Sequence, residues 1–101
     1  MRYFSWDRRK ARGNIGKHGI DFDTAVRAFS DPFAVRRFDR IVDGETRWHT
    51  IGMVGGQLLL LVVHTTEEED GDEYVRIISA RRADKADEAT YFTQNRELGH
   101  F

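Results

Sequence analysis

Tyr74-Val-Arg-Ile-Ile-Ser-Ala-Arg-Arg82 alternates with the period of two that a β-strand requires. Strict alternation places Val75, Ile77 and Ser79 on one face and Tyr74, Arg76, Ile78 and Ala80 on the other. Arg81 and Arg82 leave the strand together, just before Ala83-Asp84 opens a helix, so three permanent positive charges gather near one sheet edge. A guanidinium offers a planar fork of donors that suits phosphate, and it does not titrate at working pH. The same arginines can instead pair with the acidic stretch before them or the acidic helix after them. Spacing leaves both readings open.

Upstream, Glu67 to Glu73 carries six acids in seven residues around Gly71 and is expected to be a solvated loop. Gln57 to Thr66 reads as the strand before it. Its run Leu58-Leu-Leu-Leu-Val-Val63 is apolar on both faces, as in a central strand covered on both sides. Gly55-Gly56 supplies the positive φ of a two-residue hairpin turn. Thr46 to Val54 is a further strand, with Arg47, His49, Ile51 and Met53 on one side and Trp48 and Thr50 on the other. Asp43-Gly44 marks a turn, and Phe33 to Ile41, with Arg36, Arg37 and Arg40 interspersed, is the strand preceding it.

At the amino end Arg2 to Trp6 is a short aromatic strand candidate. Asp7 is placed to cap a helix running to His18, which Gly19 ends. Ala11 and Ile15 form its apolar seam, and Lys10, Asn14 and His18 a polar stripe; Gly13 and Gly16 each cost about 1 kcal/mol relative to Ala. Asp21 or Asp23 caps a second helix, whose Phe22, Ala25, Val26 and Phe29 follow the spacing of a buried stripe until Pro32. Asp84 opens the last helix, with Ala86, Ala89 and Phe92 inward and Tyr91 beside them; Leu98 to Phe101 is expected to fray. The fold class is therefore α+β: two N-terminal helices, an antiparallel β-sheet meander of three or four strands, and a C-terminal helix.

Length bounds the chain to one domain, 1–101. No cysteine is present, and four histidines lie without HxxxH or HxH spacing, so no metal or other cofactor is expected. The apolar run ends well short of a membrane span and no signal peptide is evident, so the expectation is a cytoplasmic protein away from membranes. Net charge is −1, but residues 1–40 hold ten Lys/Arg against five Asp/Glu, whereas 41–101 hold six against twelve. A basic half beside an acidic half permits both an anionic ligand and a basic protein partner.

Phe4-x-Trp6-Asp7, Lys10, Asn14, Lys17-His18-Gly19-Ile20 and Phe22 resemble the opening signature of the BrnT toxins. Arg47-x-x-x-Ile51-Gly52, Leu60 to His64-Thr65, and Arg76-Ile-Ile-Ser-Ala-Arg-Arg-Ala83 are similar to that family's sheet motifs, and Tyr91 stands where its last helix carries tyrosine. The likeness covers roughly residues 4–91. It implies a RelE-like fold and the toxin half of a type II toxin–antitoxin pair. It also implies a metal-independent endoribonuclease that cleaves RNA and inhibits translation. The implied partner is a ribbon-helix-helix antitoxin, held in a hetero-oligomer such as a heterotetramer, with DNA reached only through it. Where the family has a glutamate four residues before the tyrosine, among basic residues, this chain has Asp87, followed by Glu88 and Ala89.

Such a ribonuclease would let a ribose 2′-hydroxyl attack the adjacent phosphate, which requires proton transfer and fixed positive charge around phosphorus. Arg81, with Arg76 and Arg47, is the candidate for charge stabilisation. His18 is the first candidate for proton transfer, followed by His49 and His64, although His64 at the end of the buried strand fits a structural role best. Tyr91 is a candidate to stack a base or orient the phosphate. Lys10, Lys17, Arg82 and His49 are candidates to hold substrate. The alternative is a partner-binding module without catalysis, tuning promoter binding by its antitoxin.

Overall fold

The computed structural model describes residues 1–101. It orders them as β1 (Arg2–Trp6), α1 (Arg8–His18), α2 (Phe22–Arg27) continued by a 3₁₀ turn at Ala28–Ser30, β2 (Val35–Val42), β3 (Glu45–Val54), β4 (Leu58–Glu69), β5 (Asp72–Arg82) and α3 (Lys85–Glu97). Asp7 accepts the backbone N–H groups of Arg9 and Lys10, and Gly19 closes α1 at a φ of 71°. No helix is long and apolar enough to cross a membrane.

The sheet is not a purely antiparallel meander. Its five strands run in the order β1-β5-β4-β3-β2, and β1 lies parallel to β5, from Arg2↔Glu73 to Trp6↔Ile77. The parallel pairing is possible because both first helices and three strands intervene between β1 and β5, far more than a crossover needs. The acidic stretch is also strand rather than loop. Glu67, Glu68 and Glu69 pair with Tyr74, Glu73 and Asp72, and only Asp70 (φ 52°) and Gly71 (φ 83°) turn. Glu73 is fixed there by Arg2, Arg36 and Thr66.

α1, α2 and the 3₁₀ turn cover one face, burying Ile20, Phe22, Ala25, Ala28 and Phe29 against Leu60, Val62, Val75, Ile77 and Ala80. Backbone approach is close: a Cβ on Gly52 would lie 2.2 Å from the carbonyl oxygen of Ala28. α1 is held by a polar side chain. Asn14 is buried, donating to the carbonyls of Ala80 and Ile20 and accepting the Ala80 N–H. β1 stops at Trp6, opposite Ile77, so the Asn14 amide satisfies backbone groups of β5 beyond the end of its neighbour. The expected seam residue Ile15 is half exposed.

α3 covers part of the opposite face, where Tyr91 packs on Val35, Ile51, Leu59 and Leu61. Its inward side is Asp87, Tyr91 and Asn95; Ala86, Ala89 and Phe92 are exposed, contrary to expectation. Polar contacts stabilise this side, with Asn95 donating to the Phe33 carbonyl. The end of the chain does not fray either. Gly99 turns at φ 79°, the His100 N–H donates to the Asn95 carbonyl, and Phe101 meets Phe33, Tyr91 and Phe92.

Candidate functional site

α3 leaves the lower part of its face open, and the strand registers show what stands there. Arg81 pairs with Leu61, Ser79 with Val63 and Arg76 with Thr65 on β4; Val63 pairs with His49, and His49 with Arg37. Arg47 and Arg40 pair further along the β2–β3 hairpin. Since β4 alternates through Leu61, Val63 and Thr65, these residues share one face. The face therefore carries Arg37, Arg40, Arg47, Arg76, Arg81 and His49.

Two register shifts build this arrangement. In β5, Ser79 pairs with Val63 but Ile77 with His64, so Ile78 is an extra residue. The bulge reverses the alternation beyond it. Ala80 enters the core beside Val75 and Ile77, and Arg81 joins Arg76 on the opposite face. In β2 the shift between Phe38 and Arg40 makes Asp39 the extra residue and brings Arg37 opposite His49.

His49 lies between charged neighbours. Its Nδ1 accepts from Arg37 Nε at 3.3 Å, and its Nε2 lies 3.3 Å from Asp39 Oδ1. A ring whose Nδ1 accepts is neutral and carries its proton on Nε2. Burial holds its pKa below the ordinary 6.5; Asp39 pulls it up, while Arg37 adds to the lowering. Asp87 is the second organising group. One oxygen takes Arg37 at 2.9 Å, the other Arg81 at 2.7 Å and the Asp84 N–H at 3.0 Å. Burial opposes its ionisation, but those three donors prevail and its pKa is lowered. Arg76 pairs with Glu45 and Arg40 with Asp39. Arg47 has no carboxylate partner, and its buried Nε makes no hydrogen bond.

Four of the sequence-derived candidates thus meet on one face: Arg47, His49, Arg76 and Arg81. The others stand elsewhere. His18, Lys10 and Lys17 belong to α1, which packs on the opposite face through Ala11 and Asn14. Arg82 pairs with Leu60, whose side chain is in the core on that opposite face. Tyr91 is 2% exposed and its hydroxyl donates to Asp31 at 2.6 Å, burial and that bond raising its pKa; no face of its ring is free for a base. His64 is structural. It accepts from or donates to Thr50 Oγ1 at 2.7 Å and contacts the Thr65 carbonyl, and burial lowers its pKa to about 4. Arg37, Arg40, Asp39 and Asp87 were not expected. Counting back from Asp43-Gly44 would have paired Arg40 with Arg47, but the bulge at Asp39 hides the pairing of Arg37 with His49.

A family model described as the ribonuclease toxin, BrnT, of type II toxin–antitoxin systems matches residues 6–87. No curated protein matches the chain. Among solved structures, the Brucella abortus ribonuclease toxin BrnT is similar over 84% of this chain and 99% of its own, with a TM-score of 0.55 and 24% identity. At that identity the likeness speaks for the fold.

Proposed function

The chain belongs to the BrnT family of ribonuclease toxins of type II toxin–antitoxin systems, and from this premise we propose that its open arginine face is a metal-independent endoribonuclease site. One observation carries the reading: a histidine in its neutral form stands among arginines on the same open face. Neutral imidazole can take a proton, and fixed guanidinium charge can stabilise a pentacoordinate phosphate without a metal ion.

In this reading the 2′-oxygen bonds to phosphorus as the bond from phosphorus to the 5′-oxygen breaks. Arg37 turns from His49 to the phosphate, the freed Nδ1 takes the 2′-hydroxyl proton, and the leaving 5′-oxygen is protonated from water. A 2′,3′-cyclic phosphate and a 5′-hydroxyl remain. Arg47, Arg76 and Arg81 neutralise the phosphate oxygens. Proton transfer is assigned to His49 rather than His18, because α1 packs on the other face of the sheet. The physiological consequence is inhibition of translation within a RelE-like toxin scaffold, relieved by the cognate antitoxin, which we take to be a ribbon-helix-helix protein.

A second reading has a specific observation in its favour. Asp87 already engages Arg37 and Arg81, and Glu45 engages Arg76, as in a face built to hold itself together while binding a partner. Incubating the purified chain with RNA in EDTA and mapping the ends separates the two. New ends bearing cyclic phosphate are expected; folded protein that binds its antitoxin and cuts nothing would establish the binding module.

A further inference from the structure

Beside the arginines on the open face lies an aromatic pair that the proposed chemistry does not use. Tyr3 and Tyr74 are direct partners across β1 and β5, and their rings stack with centroids 5.3 Å apart and planes 19° from parallel. They are 46% and 44% exposed, so burial does not account for them. Tyr74 is two residues from Arg76 on the same strand and before the bulge, and so stands on the same face. A hollow of about 190 Å³ lies between them, lined by Tyr74, Arg76, Ser5, Thr65, Glu45 and Glu67. Tyr3 does not line it, and the hollow reaches β1 at Ser5.

We propose that this hollow is a nucleobase subsite, in which a base of single-stranded RNA next to the cleaved phosphate stacks on Tyr74, with Tyr3 backing the ring. The proposal rests on the ribonuclease reading. An arginine for the phosphate with an aromatic ring for the neighbouring base is the combination that single-stranded nucleic acid requires. Glu67 adds a preference. Its carboxylate has no ion-pair or hydrogen-bond partner, unlike that of Glu45, which is joined to Arg76. A free carboxylate accepts hydrogen bonds and offers none. The subsite thus favours a base whose edge presents N–H donors, and guanine, with adjacent imino and amino donors, can engage both oxygens. Uracil, with one imino donor between two carbonyls, fits least well.

The probe is a short single-stranded 2′-O-methyl oligonucleotide, which cannot undergo attack by its 2′-oxygen, carrying either guanosine or uridine at one position. Affinity is measured by fluorescence anisotropy on the full chain. Tyr74→Ala is expected to weaken binding roughly five- to hundredfold, the equivalent of about 1–3 kcal/mol per stacked base at about 1.4 kcal/mol per decade. Tyr74→Phe should retain it, and Glu67→Gln should reduce the preference for guanosine over uridine. An unchanged melting temperature in Tyr74→Ala shows that the loss is not one of folding. Tyr74→Ala that melts like wild type and binds as tightly overturns the subsite and leaves the ribonuclease reading standing. If Tyr74→Ala melts lower, Tyr74→Leu, which keeps apolar bulk without a π-face, decides: wild-type affinity overturns the subsite. Wild type that binds neither this probe nor unmodified RNA overturns both.

Discussion

The guanidinium of Arg81 donates to the buried carboxylate of Asp87 at 2.7 Å. Asp87 is nearly inaccessible at its side chain, whereas Arg81 keeps 37% of its own exposed. One end of the pair is anchored while the other faces solvent, as a preorganised donor must be. The short carboxylate of Asp87 thus reaches two arginines at once.

Arg81→Ala is expected to reduce RNA cleavage by about 10²–10³-fold, the typical loss for one preorganised donor. Asp87 retains Arg37 and the Asp84 N–H, so the stability cost should stay near 1 kcal/mol, a fall in Tm of about 4–8 °C. Arg81→Lys keeps the charge without the fork and should recover only part of the rate. Measuring Tm and cleavage on the same purified variant tests this; near-wild-type cleavage by folded Arg81→Ala would make Arg81 structural.

Cleavage should depend on neutral His49. Its pKa lies below 6.5 because burial outweighs Asp39, so the rate should rise with pH along an acid limb whose midpoint is below 6.5. Asp39→Asn removes the larger of the two carboxylate influences that raise this pKa and should move the limb to lower pH, whereas His49→Ala should abolish the limb and lower the rate about 10²–10⁴-fold. A pH–rate profile indifferent to both substitutions assigns proton transfer to another group.

Glu73 predicts a loss of stability in acid. Arg36, with help from Thr66 and Arg2 and against the effect of burial, lowers its pKa from 4.5 to about 2. A depressed carboxylate pKa stabilises the fold above the unfolded value and ceases to do so as pH falls through the folded one. The contribution, about 3 kcal/mol at most, should be complete above about pH 4.5 and disappear towards pH 2. Glu73→Gln should therefore melt below wild type at neutral pH, with the gap narrowing across that window; a constant gap would contradict the assignment.

Gly52→Ala should destabilise by about 3 kcal/mol or more. Its Cβ would meet the Ala28 backbone, which the 3₁₀ turn cannot easily withdraw from the core. Thermal melting should show a fall of more than about 10 °C. A variant melting near wild type would mean that the turn can move.

What the sequence revealed and what it concealed have physical reasons. Asp7, Gly19 and Asp43-Gly44 act through their own neighbours, and each does in the fold what its residue type suggests, whereas Gly55-Gly56 take the expected positive φ in a loop of three residues rather than two, since Val54 pairs with Leu58. The central position of β4 also followed from its apolar run. Ile78 gives no local sign of being an extra residue, because isoleucine suits either face, yet it decides where Arg81 stands. Asn14 looks like part of a wet stripe until the end of β1 leaves backbone groups of β5 for it to satisfy. Asp87 looks like one more surface acid until Arg37 arrives from fifty residues away. Pairing over such distances leaves no periodicity to read.

The parallel pairing of β1 with β5 sets a time order on the molecule's making. Residues 2–6 leave the ribosome well before their partners, residues 73–77, and contacts so distant in sequence form late. Arg76 and Arg81 lie on that same late strand. Before β5 emerges, the growing chain has neither its closing strand nor two of the arginines of its open face. A harmful activity built on that face would thus be withheld from the nascent chain, giving a partner synthesised alongside it time to be present when the fold completes.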